Sequence, residues 1–202
     1  MKSFSVFCLI GALAFCFADS AYAQGKADAA KFARQGSQAA KNKDWEQAVE
    51  AYRKAAELDP KNAPNLAAVL QQRAVAYTSQ QQYPEAVADF SEAIKINPND
   101  PGTYERRAYV EMKLNDFDKA LADYSEAIKL KPNEVRYYLL RSYIYETKGD
   151  IKNSMADTEK VLKMQKENAE AKSRKERLEK IQSLNSPPPV STKPAAAPSK
   201  AP

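Results

Sequence analysis

The sequence predicts an all-α protein built of antiparallel helix pairs laid side by side, and three observations predict it. A pattern of small and aromatic residues repeats along the chain at a nearly fixed interval. A second set of small residues recurs 12 positions before the first, and each clear copy runs on to a proline.

Residues 1–23 read as a cleavable signal peptide: Lys2 precedes an apolar run from Phe4 to Phe17, and the small-residue stretch Ser20-Ala21-Tyr22-Ala23 follows. The run from Phe4 to Phe17 is shorter than the roughly 20 residues that cross a bilayer, and Asp19 stands just behind it. Cleavage after Ala23 and export to the periplasm or the outside are therefore expected. Cys8 and Cys16 both lie in this segment, which leaves the processed chain with no thiol for a disulfide. Bulky Phe15 ahead of Cys16 argues against lipid attachment there.

The repeating blocks are 45–52, 83–90 and 117–124, aligned on Ala48, Ala86 and Ala120. Two helices cross closely only where side chains are small, and Gly36, Ala74 and Ala108 stand opposite those alanines on the other arm of each hairpin. Tyr52, Phe90 and Tyr124 fill the space beside each crossing. Pro60, Pro98 and Pro132 end the second helices, because proline has no N–H to donate. Phe32, Leu70, Tyr104 and Tyr138 supply the apolar start of each first helix.

The step from Ala86 to Ala120 is a period of about 34 residues, and with these residue types at these offsets it resembles the tetratricopeptide repeat. The resemblance implies a right-handed α-solenoid with three clear repeats, about 29–62, 67–100 and 101–134, and one degenerate repeat at 135–168. The degenerate copy has Ser142, Ser154, Thr158, Val161 and Lys166 where small, aromatic and proline residues are expected. A capping helix over 169–185 follows, with Ala171, Leu178 and Ile181 available to cover the last repeat, as solenoid ends require. The longer step from Ala48 to Ala86 holds four extra residues, about one helical turn, so they lengthen the next helix without rotating its faces. Residues 186–202 hold six prolines and are expected to be an extended tail of polyproline character.

Chemistry is sparse. The chain has no histidine, and after processing no cysteine, which removes the commonest general base, zinc ligand and thiol nucleophile. No glycine-rich phosphate loop can form from Gly25, Gly36, Gly102 and Gly149, which are far apart. Asp116, Asp118 and Asp123 cluster in sequence, but the first two stand at a helix start, where acids suit the helix dipole. No enzymatic activity, metal or cofactor is expected, and an exported chain without a recognition motif is a poor match for nucleic acid.

Charge is uneven. Residues 24–159 hold 20 basic and 21 acidic side chains, whereas 160–202 hold 10 and 4. Lys160, Lys163, Lys166, Lys172, Arg174, Lys175, Arg177 and Lys180 therefore form a basic end that can meet an anionic envelope surface. Interleaved Glu167, Glu170, Glu176 and Glu179 favour the plainer reading of a solvated outer face.

The resemblance implies that the first helices of successive repeats line a concave surface that accepts a peptide or helix of a partner. By helical phase, Ala33, Ser37 and Lys41 face it from the first repeat, and Gln72, Val75 and Ser79 from the second. Arg106, Tyr109 and Lys113 follow in the third, then Arg136, Leu140 and Tyr143 in the fourth, so these six are the expected partner-binding residues. Leu140 and Tyr143 have a second reading, burial beneath the capping helix. Some family members grip a terminal carboxylate with paired Lys and Asn, but Ala33 and Ser37 stand at those places here.

Where the family usually has leucine before the small crossing residue, this chain has Gln35, Arg73, Arg107 and Arg141. Each arginine has an aspartate at the same offset further along, Asp89, Asp123 and Asp157 in turn, while the repeat with Gln35 has Ala51. Ion pairs across each hairpin are expected, with a basic ligand-binding row as the rival reading. Two functions follow: an adaptor that binds a protein segment in the groove, and a structural accessory attached to the envelope through its basic end.

Overall fold

The computed structural model describes residues 4–185, with side chains from residue 23 onward; the proline-rich tail and the side chains of the N-terminal apolar run lie outside the described residues. Among the described residues there are nine α-helices, one 3-10 turn and no strand. The helices are α1 (Phe4–Lys41), α2 (Trp45–Leu58), α3 (Ala63–Ser79), α4 (Tyr83–Ile96), α5 (Pro101–Lys113), α6 (Phe117–Leu130), α7 (Val135–Thr147), α8 (Ile151–Met164) and α9 (Ala169–Asn185). The chain divides into two compact units, 1–137 and 138–202.

In the first unit each helix packs on the next, α1 on α2 through to α5 on α6. The crossings are made by alanine. Ala48, Ala74, Ala86, Ala108 and Ala120 are completely buried, so neighbouring backbones approach as closely as a methyl group allows. At the first crossing even that is too much: a Cβ on Gly36 would lie 2.8 Å from the Tyr52 ring. Phe90 and Tyr124 fill the later crossings at 1% exposure. One cluster joins Val49 of α2 to Leu66, Val69 and Leu70 of α3, with Trp45, Tyr52 and Ile96 at its edge. Burying several such side chains, at about 1.5–3 kcal/mol each, is what makes one pair depend on its neighbour.

Hairpin turns follow one plan. Lys43, Gln81, Asn115 and Gly149 occupy the same place in successive turns, and all four have positive φ, between 59° and 76°. This left-handed residue ends the first helix, after which an N–H reaches back across the turn: Asp44 to the Ala39 carbonyl, Gln82 to Tyr77, Asp116 to Glu111 and Asp150 to Tyr145. Asp44 and Asp150 then cap the following helices by accepting from the N–H groups of Gln47 and Asn153. The four extra residues go where sequence length alone allows: α3 has 17 residues against 13 in α5, after the 3-10 turn Pro60–Asn62.

In the second unit, three polar substitutions of the degenerate repeat are consumed inside it, while Lys166 is exposed. Ser142, Ser154 and Thr158 are fully buried, Ser154 Oγ donates to the Ser142 carbonyl at 2.9 Å, and Thr158 Oγ1 to the Ser154 carbonyl at 2.8 Å. Helix α9 packs on α8 with Ala171 and Leu178 at zero exposure.

Candidate partner-binding groove

Adjacent residues on α5 have opposite fates. Arg107 turns into the hairpin, where its Nε and Nη2 donate to the two oxygens of Asp123 at 2.8 and 2.7 Å. Its Nη1 donates to Ser91 Oγ of the preceding pair at 2.9 Å. Arg73 grips Asp89 in the same two-pronged way at 2.7 Å, and in the second unit Arg141 grips Asp157 at 2.8 Å. The three aspartates are 3–6% exposed. Each carboxylate holds its arginine's pKa above the usual value through these hydrogen bonds, against the opposing effect of burial.

The turn of α5 that carries Arg107 also carries a buried acid. Glu111 is 3% exposed, its Oε2 has no hydrogen-bond partner, and its Oε1 lies 4.0 Å from Arg107 Nε. The guanidinium is already spent on Asp123 and Ser91. Burial, with Asp123 beside it, pushes the Glu111 carboxyl up to about 7, and Arg107 offsets only part of this. The same place holds Tyr77 in the second repeat and Tyr145 in the fourth, whose rings lie 5.6 and 6.0 Å from Arg73 and Arg141.

Arg106, one residue before Arg107, faces out. It borders a groove of about 730 Å³ lined by Trp45, Ala68, Gln71, Gln72, Val75 and Asn97, among others. Asp100 organises this rim. It caps α5 by accepting from Gly102 N–H and Thr103 Oγ1, and it accepts from Gln71 Nε2 at 3.1 Å, while Gln71 Oε1 accepts from Arg106 Nη1 at 3.1 Å. Val75 and Tyr109 are 46% and 48% exposed, and Lys113 Nζ lies 5.2 Å above the Tyr109 ring. A second concavity, of about 610 Å³ between α1 and α2, is lined mainly by Gln35, Gln38, Asn42, Gln47 and other polar groups of an end face.

Of the six residues expected in the groove, Arg106 is on its lining and Tyr109 and Lys113 continue the same face of α5. Arg136 is exposed, but its Nε lies 2.9 Å from Glu105 Oε1, an ion contact in which the N–H is not aimed at the oxygen. Leu140 and Tyr143 belong to the second unit, Leu140 half-buried and Tyr143 exposed, so burial of Tyr143 beneath α9 does not occur. Register corrects one further position: Ala33 is half-buried, whereas Arg34, which aligns with Gln72 and Arg106, is exposed. Gln71 and Asp100 went unnoticed in the sequence, and the Asp-Pro-Gly start of a helix was the available signal.

The basic end requires a correction as well. Arg174 is 3% exposed, so it does not meet an outside surface. Its guanidinium donates to Glu146, the Leu139 carbonyl, Ser142 Oγ and Glu170. Arg177 pairs with Glu146, Lys172 with Glu167, and Lys175 stands near Glu159 and Glu179.

Comparison with known proteins gives the following. Family models described as tetratricopeptide repeat match residues 29–62, 67–100, 102–134 and 135–168. No curated protein matches the chain. Among solved structures, the Arabidopsis OM64 TPR domain is 28% identical with a TM-score of 0.54, covering 59% of this chain and 98% of its own. A tetratricopeptide repeat protein from Parabacteroides merdae is 20% identical with a TM-score of 0.60, covering 78% of this chain and 61% of its own. The second TPR domain of human RPAP3, solved with the HSP70 peptide SGPTIEEVD, is 19% identical with a TM-score of 0.52, covering 57% and 98%.

Proposed function

The chain belongs to the tetratricopeptide repeat family, and from that premise we propose that it is a non-catalytic adaptor, exported from the cell, which holds a segment of another protein in the groove along its first helices. The observation that carries this reading is the groove of about 730 Å³, where Val75, the neighbouring Tyr109 and Arg106 stay exposed on helices whose other faces are buried in the repeats. An aromatic beside an arginine in a concavity is the usual anchor of a protein interface. The human RPAP3 domain supports the direction of the reading, since a domain of the same fold holds a peptide. Export rests on the apolar run from Phe4 to Phe17 and the small residues after it.

Attachment to the envelope through the C-terminal end is the weaker proposal. Its most central cation, Arg174, is enclosed, and three others have carboxylates beside them, which leaves Lys160, Lys163, Lys166 and Lys180 as the cations of that end of the described chain. Crosslinking in the native host with residues 24–202 as bait tests the adaptor reading, with Val75→Glu as the groove-blocked control. A specific partner lost in the control is expected. Capture no greater than that of an unrelated basic exported protein would overturn the reading.

A further inference from the structure

Most arginines of the first unit sit on carboxylates: Arg53 on Glu92, Arg73 on Asp89, Arg107 on Asp123 and Arg136 against Glu105. Arg34 and Arg106 do not, and they occupy the same register position in the first and third repeats, with Gln72 between them in the second. Two turns further along, Lys41 and Lys113 likewise share a position, with Ser79 between. All four cations are exposed, and no carboxylate lies within ion-pair distance of any of them among the described residues. Between the two cation positions lie Ser37, Val75 and Tyr109. The face made by these positions of α1, α3 and α5 thus carries four positive charges, an apolar centre and no acid.

Resting on the groove as the partner site, we propose that its ligand is an acidic segment from within a partner chain. Its carboxylates pair with Arg34, Arg106, Lys41 and Lys113, and an apolar side chain lies between them on Val75 and Tyr109. Unopposed cations in a concavity raise the local concentration of anions and reject basic segments. Arg106 is preset for the task, because Gln71, itself held by Asp100, accepts from its Nη1 and leaves the other N–H groups of the fork outward. Arg106 and Lys113 are two turns apart, ~10.5 Å along the helix. An extended chain covers that in about three residues at roughly 3.3 Å each, so acids about three residues apart with an apolar residue between them match the face. Charges so separated do not converge on one point, which disfavours a single terminal carboxylate as the anchor. Half-exposed Val75 and Tyr109 disfavour an anionic polymer that offers charge alone.

Fluorescence anisotropy with the chain 24–202 tests this directly. The probe is a short labelled peptide with Glu at every third place and Leu or Phe between, acetylated and amidated at its ends; the comparators replace every Glu by Gln or by Lys. The Glu peptide should bind at least tenfold tighter than either comparator, and a free C-terminus should bring no advantage. Arg106→Gln with Lys113→Gln should cost at least tenfold. Lys129→Gln, on an exposed lysine that pairs with Glu126 away from the groove, should leave binding unchanged. Equal binding of the Gln peptide overturns the proposal, as does a need for the free carboxylate. Equally tight binding of a sulfated polysaccharide with the same dependence on Arg106 and Lys113 overturns it too. If no peptide binds while the crosslinking bait still captures a partner that Val75→Glu abolishes, the acidic ligand is wrong and the adaptor reading stands; if both fail, both fall.

Discussion

Removing Asp123 tests the physical logic of the hairpins most directly. In Asp123→Ala, Arg107 loses two hydrogen bonds of 2.7 and 2.8 Å and keeps the one to Ser91 Oγ, while the methyl of alanine fills little of the vacated space. Stranding one member of a buried pair costs about 3–5 kcal/mol when desolvation is complete. Here the arginine side chain is 20% exposed and the aspartate 5%, so water can reach part of the stranded charge and the expected loss is about 2–4 kcal/mol. Replacing both partners, Arg107→Met with Asp123→Leu, removes the stranded charge and should return stability to within about 1 kcal/mol of the parent. Urea unfolding of residues 24–202 followed by circular dichroism measures both variants. Because Arg73–Asp89 belongs to another hairpin, its losses should add to those at Arg107–Asp123 within about 0.5 kcal/mol. The reasoning is refuted if Asp123→Ala loses less than about 1 kcal/mol while Arg107→Met alone abolishes partner binding, for then the arginine serves the ligand.

Glu111 makes stability depend on pH. Its folded carboxyl titrates near 7 against an unfolded value of 4.5, so its contribution is complete below about pH 4.5, falls as pH rises from there and is gone once pH has passed about 7; the shift corresponds to as much as ~3 kcal/mol. Glu111→Gln should therefore flatten the fall in urea midpoint between about pH 4.5 and 7, and an unchanged slope would contradict the assignment. Gly36→Ala should destabilise by about 1–3 kcal/mol, because a Cβ there meets the Tyr52 ring at 2.8 Å. Combining it with Tyr52→Leu should recover part of that loss in the same unfolding assay. Arg174→Met leaves Ser142 Oγ without its donor and the Leu139 carbonyl with Ser142 Oγ in place of two side-chain donors, and strands Glu146 with Arg177 alone, which should cost about 2–4 kcal/mol. Hydrogen exchange should show the lost protection concentrated in α9 and the end of α7.

Helices and crossings were legible because repetition multiplies weak signals. One alanine means little, but Ala48, Ala86 and Ala120 in register, each opposite another small residue, leave one way to pack. Spacing likewise exposed the arginine and aspartate series, since the two are present together in three repeats and absent together from the first. What spacing cannot carry is the number of donors each guanidinium spends, and it is that number which leaves Glu111 Oε2 without a hydrogen bond. Arg174 was misread as part of a solvated basic face, although Ala171, Arg174 and Leu178 share one helical stripe and the stripe is buried. Composition outweighed phase there. Phase also misplaced the first repeat by one residue: Ala33 suited the expected face, but register with Gln72 and Arg106 puts Arg34 on it.

The pair Arg106 and Arg107 shows how one chemistry is divided between folding and binding. Successive residues on a helix point about 100° apart, so a side chain directed at the crossing has a neighbour directed away from it. Arg107 faces a carboxylate placed by the same repeat, and its charge is spent inside the hairpin. At the position before it, the facing residues from the other first helices are Arg34 and Gln72, neither of which can accept its charge. Repetition enforces both outcomes. The aspartates recur on the second helices and turn inward, so none is left to neutralise the first helices' outward row. A groove that remains cationic after its own acids are consumed can be neutralised only from outside the chain, and this is why the charge pattern of the packed hairpins also selects the ligand.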